Sequence, residues 1–136
     1  MKKSTDHFRT ILLAAIATIV IALSSQAASL SDTDTKFLAG YEKVHAALAA
    51  DDLSRAKTAA KDLAEDGADI AKAASLKDAR AAFEKLSRRA VALAAGESGY
   101  YVVHCPMLNK DWVQTTDKIA NPYGGKEMAT CGEIKK

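Results

Sequence analysis

Two short segments near the C-terminal end place a methionine close to each of the chain's only two cysteines. Cys105 is followed two positions later by Met107, and Met128 precedes Cys131 by three positions. If the first segment is extended, its two sulfur-bearing side chains point the same way; if the second forms a helical turn, its two share a face. Packing the two segments side by side would then give a Cys₂Met₂ site.

This set of side chains favours a soft metal ion. Cu(I) and Ag(I) accept thioether ligands readily, whereas zinc, the third candidate, prefers Cys, His and carboxylate ligands. The alternative is a structural disulfide between Cys105 and Cys131, closing a loop of about 26 residues with no metal bound. Met107 and Met128 would then fill gaps against aromatic neighbours. The spacing alone favours the disulfide but leaves metal binding open, because a dithiol that binds metal when reduced can oxidise when empty.

Three further residues are predicted to surround such a site. His104 precedes Cys105 on a predicted strand and should face the opposite side, so we expect it beside the ligands or at the surface and not among them. Trp112 and Tyr123 are expected to shield the site from water. No acid–base pair, and no nucleophile with a neighbouring base, can be assembled from the sequence, so we do not expect an enzyme.

The N-terminus has the composition of a secretory signal peptide. Three basic residues precede an apolar run from Ile11 to Leu23, and small residues then lead to a predicted cleavage after Ala27. The run is shorter than the roughly 20 residues that a membrane-spanning helix needs, so contact with the membrane is expected only during export. The sequence therefore predicts a periplasmic or secreted protein in a compartment that permits disulfides.

Removal of residues 1–27 also changes the charge of the protein. The full chain has 19 basic and 17 acidic residues, and the predicted signal peptide carries three of the former and one of the latter, which leaves equal numbers. A net charge near zero gives no reason to expect nucleic acid as a partner.

Residues 28–136 are predicted to form one domain with two unlike parts. Residues 32–95 are rich in alanine and contain no proline, and their apolar residues recur at helical spacing. Ser31, Asp32 or Asp34 could cap the first helix, and Asp51 or Asp52 the second. Another helix is predicted to begin at Ser75 and to end near Gly96, whereas the segment 66–74 is left open between a continuation of helix two and a short helix of its own.

The remaining residues predict a small amount of strand. Residues 100–103 and 112–115 have the composition of two antiparallel strands joined by a turn at 108–111, and residues 121–125 have that of a turn. The predicted fold is therefore mainly α: a small helical bundle with a short β-hairpin and an irregular C-terminal region that carries the proposed metal loops.

The order Cys-Pro-Met, Trp, Asn-Pro-Tyr-x-Gly-x-x-Met-x-x-Cys-Gly resembles a bacterial periplasmic domain family of unknown function. That family occurs alone behind signal peptides or fused to adaptor subunits of copper and silver efflux pumps. Residues 41–52 and 80–87 also resemble it, so the likeness covers most of residues 28–136. The family often carries a second aromatic residue where this chain has Gly124. The matching positions in the motif are Cys105, Pro106, Met107, Trp112, Asn121, Pro122, Tyr123, Gly125, Met128, Cys131 and Gly132.

The resemblance implies a helical domain that binds a soft heavy metal in a periplasm. On that basis we expect a copper(I)-binding protein that buffers the metal or passes it to an efflux or resistance system, with a periplasmic efflux adaptor or another envelope protein as partner. The expected ligands are Cys105, Met107, Met128 and Cys131. The alternative is a disulfide-stapled periplasmic interaction module that binds no metal.

Overall fold

The side chains that begin the long helices are those that the sequence offers as caps. In the computed structural model, which describes residues 29–135, Ser31 Oγ accepts a hydrogen bond from the Asp34 amide at 3.1 Å. Asp52 caps the next helix through the amide of Arg55 (2.9 Å), and Ser75 caps the last long helix. Each cap satisfies an amide that has no partner inside its helix, which fixes the start of the helix. The predicted signal peptide, residues 1–27, lies outside the described residues.

Within residues 29–135, four α-helices precede the sheet. They are α1 (Asp32–Ala49), α2 (Leu53–Lys61), α3 (Ala68–Lys72) and α4 (Leu76–Ala94). The segment that the sequence left open divides into a 3₁₀ helix, Ala64–Gly67, and the short α3, so it does not continue α2. After α4, Gly96 has a φ of +80°, the left-handed conformation predicted for the end of this helix.

The helices bury one alanine-rich core. Tyr41 on α1 and Phe83 on α4 lie at its centre, with ring centroids 5.0 Å apart. The hydroxyl of Tyr41 accepts a hydrogen bond from the Val113 amide at 3.0 Å, which ties the sheet to the helices. Because this side chain is fully buried, desolvation raises its pKa far above the ordinary tyrosine value. The apolar stripe of α1 therefore also positions the sheet.

Three antiparallel strands cover one side of the helices. They are β1 (Tyr101–Cys105), β2 (Lys110–Gln114) and β3 (Glu133–Ile134), in the order β2-β1-β3. The predicted hairpin is confirmed, with Val103 opposite Trp112, but its turn lies at residues 106–109, two residues earlier than predicted. The sequence did not predict β3, which pairs with β1 through Val103 and Ile134.

The fold class is thus mainly α with a small antiparallel sheet, as the sequence predicts. Within residues 29–135 no helix combines the length and the hydropathy that crossing a bilayer requires. The β1–β2 hairpin, including its turn, and the irregular segment between β2 and β3 carry all the predicted site residues. The functional question therefore concerns the part of the domain that follows α4.

Candidate functional site

Cys105 and Cys131 form a disulfide, and their Cα atoms are 5.6 Å apart. Cys105 ends β1 and is fully buried, whereas Cys131 lies just before β3 and is partly exposed. The disulfide therefore joins the centre of the sheet to the segment that leads into its edge strand. This is the pairing that the sequence offered as the alternative to a metal site.

The disulfide belongs to a second apolar cluster, distinct from the helical core, which we call the sulfur cluster. Its fully buried members are Val103, Cys105 and Trp112. Partly buried side chains pack against these three: Leu108, Ile119, Tyr123, Met128 and Cys131. Five of the seven residues predicted from the sequence to form or surround a site thus meet in one cluster: Cys105, Trp112, Tyr123, Met128 and Cys131.

The two methionines are placed differently. Met128 ends the 3₁₀ helix Gly125–Met128 and packs against the sulfur cluster, so the predicted helical turn brings it and Cys131 together. Met107 lies in the turn after β1, and its side chain is 77% exposed. Residues 105–107 are not extended throughout, as the sequence argument required, because the turn begins at Pro106. The thioether of Met107 is consequently directed to solvent.

His104 lies on the other face of β1 from Cys105, as strand alternation predicts. Its Nδ1 is 2.8 Å from a carboxylate oxygen of Asp111, which also accepts a hydrogen bond from Lys135 at 2.9 Å. Although partial burial opposes the effect, these hydrogen bonds from Lys135 and His104 lower the pKa of Asp111. This polar group ties β1, β2 and the end of β3 together on the face away from the sulfur atoms.

Tyr123 and Trp112 occupy the positions expected of shielding residues. Their ring centroids are 6.4 Å apart in an edge-on arrangement, and Trp112 is fully buried. Burial raises the pKa of Tyr123 to about 12. Gly132 lets the chain pass close to the indole, because a Cβ at this position would lie 2.9 Å from Trp112 Cη2 and 2.7 Å from Val103 Cγ1. The aromatic rings and the glycine together close the inner side of the cluster.

Asn121 organises the loop that carries Met128 and Cys131. This buried side chain donates from Nδ2 to the Cys131 carbonyl at 2.9 Å. Its Oδ1 accepts hydrogen bonds from the amides of Tyr123 and Gly124, both at 2.9 Å. Composition predicted only a turn at this point; the structure shows that the asparagine also fixes the backbone of Cys131 without using its sulfur.

An ion pair between Arg80 and Asp51 anchors the same loop to the helices. Arg80 donates from Nε to the Pro122 carbonyl (2.8 Å) and from Nη2 to the Leu48 carbonyl (2.9 Å) and to Asp51 (2.6 Å). The second oxygen of Asp51 accepts the Lys126 amide at 3.1 Å. The hydrogen bonds from Arg80 and from that amide lower the pKa of Asp51.

The sequence argument missed this anchor and considered Asp51 only as a helix cap. Its sequence signal is weak, because Asp51 and Arg80 are 29 residues apart and nothing in their spacing pairs them. The ion pair also explains why residue 125 is a glycine. A Cβ at Gly125, whose φ is +57°, would collide with both side chains of the pair. Glycine is therefore required here for close approach as well as for its conformation.

The segment between β2 and the Asn121 loop is held by two buried polar side chains. Gln114 donates from Nε2 to the carbonyls of Thr116 and Lys118, and its Oε1 accepts from the Trp112 indole at 3.0 Å. His45 on α1 donates from Nε2 to the Ala120 carbonyl at 2.8 Å. Because buried polar groups are costly without partners, these bonds restrict the segment to one path.

An open groove of about 530 Å³ lies beside the cluster, between α4 and the hairpin, and Tyr123 forms part of its wall. Four charged side chains line it, two of each sign: Glu84 accepts a hydrogen bond from Lys110 at 2.7 Å and pairs with Arg88 at 3.3 Å, and Asp111 is the second acidic residue. The hydrogen bond from Lys110 lowers the pKa of Glu84. The groove therefore gives no charge argument for a particular ligand.

The potential metal ligands that meet at this site are sulfur atoms. Among residues 29–135, no three His, Cys, Asp or Glu side chains come together as a metal-ligand group. The side chains that do converge are two cysteines and one methionine, which are ligands for a soft ion once the disulfide is reduced. Comparisons of the chain with protein-family models, with curated proteins and with solved structures give no match.

Proposed function

We propose that this protein is an exported domain that binds Cu(I) through Cys105 and Cys131 when their disulfide is reduced, with Met128 as a thioether ligand. One observation supports the proposal: two cysteines 26 residues apart have Cα atoms 5.6 Å apart, and Met128 packs against the same cluster. Two thiolates and a thioether form a soft ligand set, so Ag(I) would compete with Cu(I), and zinc would bind less well.

Met107 is the peripheral member of the proposed ligand set. Its side chain is 77% exposed, and two flexible torsions, χ1 and χ2, set the position of its sulfur relative to the backbone. It would have to turn back from solvent to complete a Cys₂Met₂ site. The two methionines therefore form a matched pair for experiment, since they differ in burial and not in chemistry.

A competition titration of reduced protein with a chromogenic Cu(I) chelator tests the proposal. We expect one ion per chain, loss of binding in the Cys105→Ser/Cys131→Ser double variant, and about tenfold weaker binding in Met128→Leu, corresponding to about 1.4 kcal/mol. Met107→Leu is the matched control and should weaken binding less. Affinity that persists in the double cysteine variant would refute the proposed site.

The disulfide and the predicted signal peptide both support a periplasmic or secreted location, because disulfides persist in oxidising compartments. There the protein would buffer copper or pass it to an efflux or resistance system. The family resemblance makes a periplasmic efflux adaptor, or another envelope protein, the expected partner. Co-purification with such an adaptor from copper-treated cells, but not from untreated cells, tests the transfer role.

The disulfide also favours a second function, a stapled interaction module that binds no metal. In this case the bond between Cys105 and Cys131 would be permanent and serve stability alone. Counting free thiols in protein taken from its native compartment under acid quench, together with elemental analysis, separates the two proposals. Complete oxidation without bound metal, under copper stress as well as without it, would favour the staple.

A further inference from the structure

The two cysteines of the disulfide differ in their exposure to solvent. Cys105 is fully buried in the sulfur cluster with Val103 and Trp112, both of which have 0% exposure. Cys131 is partly exposed, and the two residues before it, Ala129 and Thr130, are small and exposed. Thiol–disulfide exchange requires a thiolate to reach the sulfur that it attacks, so access selects the site of reaction.

We infer that Cys131 is the sulfur at which a partner dithiol attacks, and that it forms a mixed disulfide while Cys105 is released. The partner's thiolate forms a bond to Cys131 Sγ as the bond between the two cysteine sulfurs breaks. Cys105 leaves with the electron pair and takes a proton from water. The partner's second thiolate then attacks the partner's own sulfur and releases Cys131. The partner is oxidised to a disulfide, and this protein gains two electrons.

The closeness of the two cysteines makes this exchange selective for a dithiol. Because their Cα atoms are 5.6 Å apart, the released Cys105 thiolate stays within reach of the mixed disulfide on Cys131 and can attack it again. A monothiol therefore gives a reversible adduct that an acid quench can trap, whereas a dithiol completes the reduction with its second sulfur. The reductant that fits is therefore a protein or small molecule with two neighbouring thiols.

The loop is built to hold Cys131 in place after reduction. The Cys131 carbonyl accepts a hydrogen bond from Asn121, and its amide donates to the Met128 carbonyl, both at 2.9 Å. Neither bond involves the sulfur, so both survive the loss of the disulfide. The reduced thiols therefore stay close together, ready to bind a metal or to oxidise again. The role of this step as the gate to copper loading rests on the proposed function, whereas the point of attack does not.

The inference can be tested without any metal. The oxidised full-length protein is reacted with 2-mercaptoethanesulfonate and quenched with acid, and the released thiols are alkylated. Peptide mass spectrometry then locates the mixed disulfide and the alkyl label. We expect at least ten times more mixed disulfide on Cys131 than on Cys105, with the alkyl label on Cys105. An even distribution, a preference for Cys105, or no adduct while circular dichroism still shows a folded protein would overturn it. Copper titration of chemically reduced protein is independent of all these outcomes, so failure of one proposal is distinguishable from failure of the other.

A pair of charge variants tests from which side an anionic thiol approaches the disulfide. Thr130→Lys places a positive charge next to Cys131 and should accelerate adduct formation by this anionic thiol about two- to threefold. Thr115→Lys is the matched control, because Thr115 follows the end of β2 opposite the Cys105 turn, more than about 13 Å along the strand. Equal rates in the two variants would contradict attack at Cys131.

Discussion

The replacement of Arg80 by alanine tests whether the loop of the sulfur cluster depends on the helices. The Arg80 guanidinium on α4 donates hydrogen bonds to the carbonyls of Leu48, at the end of α1, and of Pro122, in the Asn121 loop. It also pairs with Asp51, whose second oxygen accepts the Lys126 amide. One side chain thus connects two helices to the segment that leads to Met128. Truncation removes all of these connections at once.

The expected cost follows from the two carbonyl acceptors. A hydrogen bond to a charged donor contributes about 1.5–3 kcal/mol, and the Arg80 side chain is only 19% exposed, so water can replace it only in part. Taking the lower end for each bond and allowing for that water, we expect Arg80→Ala to lower the free energy of unfolding by about 2–3 kcal/mol. The ion pair with Asp51 is left out of this sum, since partly exposed pairs contribute little.

Urea unfolding measures the effect, with two probes for the two parts of the domain. Far-ultraviolet circular dichroism reports the helices, and the fluorescence of Trp112, the only tryptophan, reports the sulfur cluster. A loss of this size should move the midpoint by about 1–2 M urea. Arg88→Ala is the matched control: this arginine lies two turns further along α4, is 70% exposed and pairs only with Glu84, so its loss should cost less than about 0.5 kcal/mol. Equal midpoints for the two variants would refute the anchoring argument.

Three further predictions address the cluster and its anchor. Reduction of the disulfide should lower the free energy of unfolding by about 3.5 kcal/mol, the loop-entropy value for its separation of 26 residues, without loss of the helical dichroism at 25 °C. Because the pKa of Asp51 is lowered in the folded state, this carboxylate contributes stability above its unfolded pKa, near 3.8, and the contribution is lost as the pH falls through the lower folded pKa. Urea midpoints measured against pH should therefore show a smaller loss of stability below about pH 4 in Asp51→Asn. Gly132→Ala should destabilise the protein by about 1–3 kcal/mol through its contacts with Trp112 and Val103, as read by Trp112 fluorescence, and an unchanged midpoint would contradict the close approach.

The helices could be predicted from the sequence because their signals are local. Ser31, Asp52 and Ser75 each cap a helix through an amide three residues away, so a short window of sequence contains the whole interaction. What the sequence left open was the choice among neighbouring candidates. Asp51 and Asp52 are both good caps, and only the fold shows that one begins α2 while the other, at a φ of +58°, turns to Arg80.

The sequence could not predict the long-range contacts or the shortest strand. The Pro122 carbonyl is 42 residues from Arg80, and no periodicity or spacing links a guanidinium to a distant backbone oxygen. The strand β3 has two residues, and its pairing with β1 depends on the disulfide and the Asn121 loop that bring it there. Strand propensity cannot predict a segment of two residues, because the residues packed around it decide its structure.

The candidate site was predictable in its cysteines and only partly in its methionines. Convergence of Cys105 and Cys131 was expected because the chain has just two cysteines and a predicted export signal, whichever of the two chemistries applies. The placement of Met107 depended on residues 105–107 staying extended. Instead the hairpin turn begins at Pro106, where proline offers no amide to the ladder, and the methionine is carried out to solvent.

The division of the domain into two clusters bears on how one protein could serve both proposed functions. The helical core does not include the sulfur atoms, so cleavage of the disulfide leaves its buried side chains in contact. The backbone around Cys131 is fixed by Asn121, and the loop around Asn121 is fixed by Arg80, through bonds that involve no sulfur. Reduction therefore removes a cross-link without removing the framework that positions the two thiols. The two proposed functions, a stapled domain and a soft-metal site, then differ by the redox state of one bond, and on our inference a partner dithiol that attacks Cys131 would set that state.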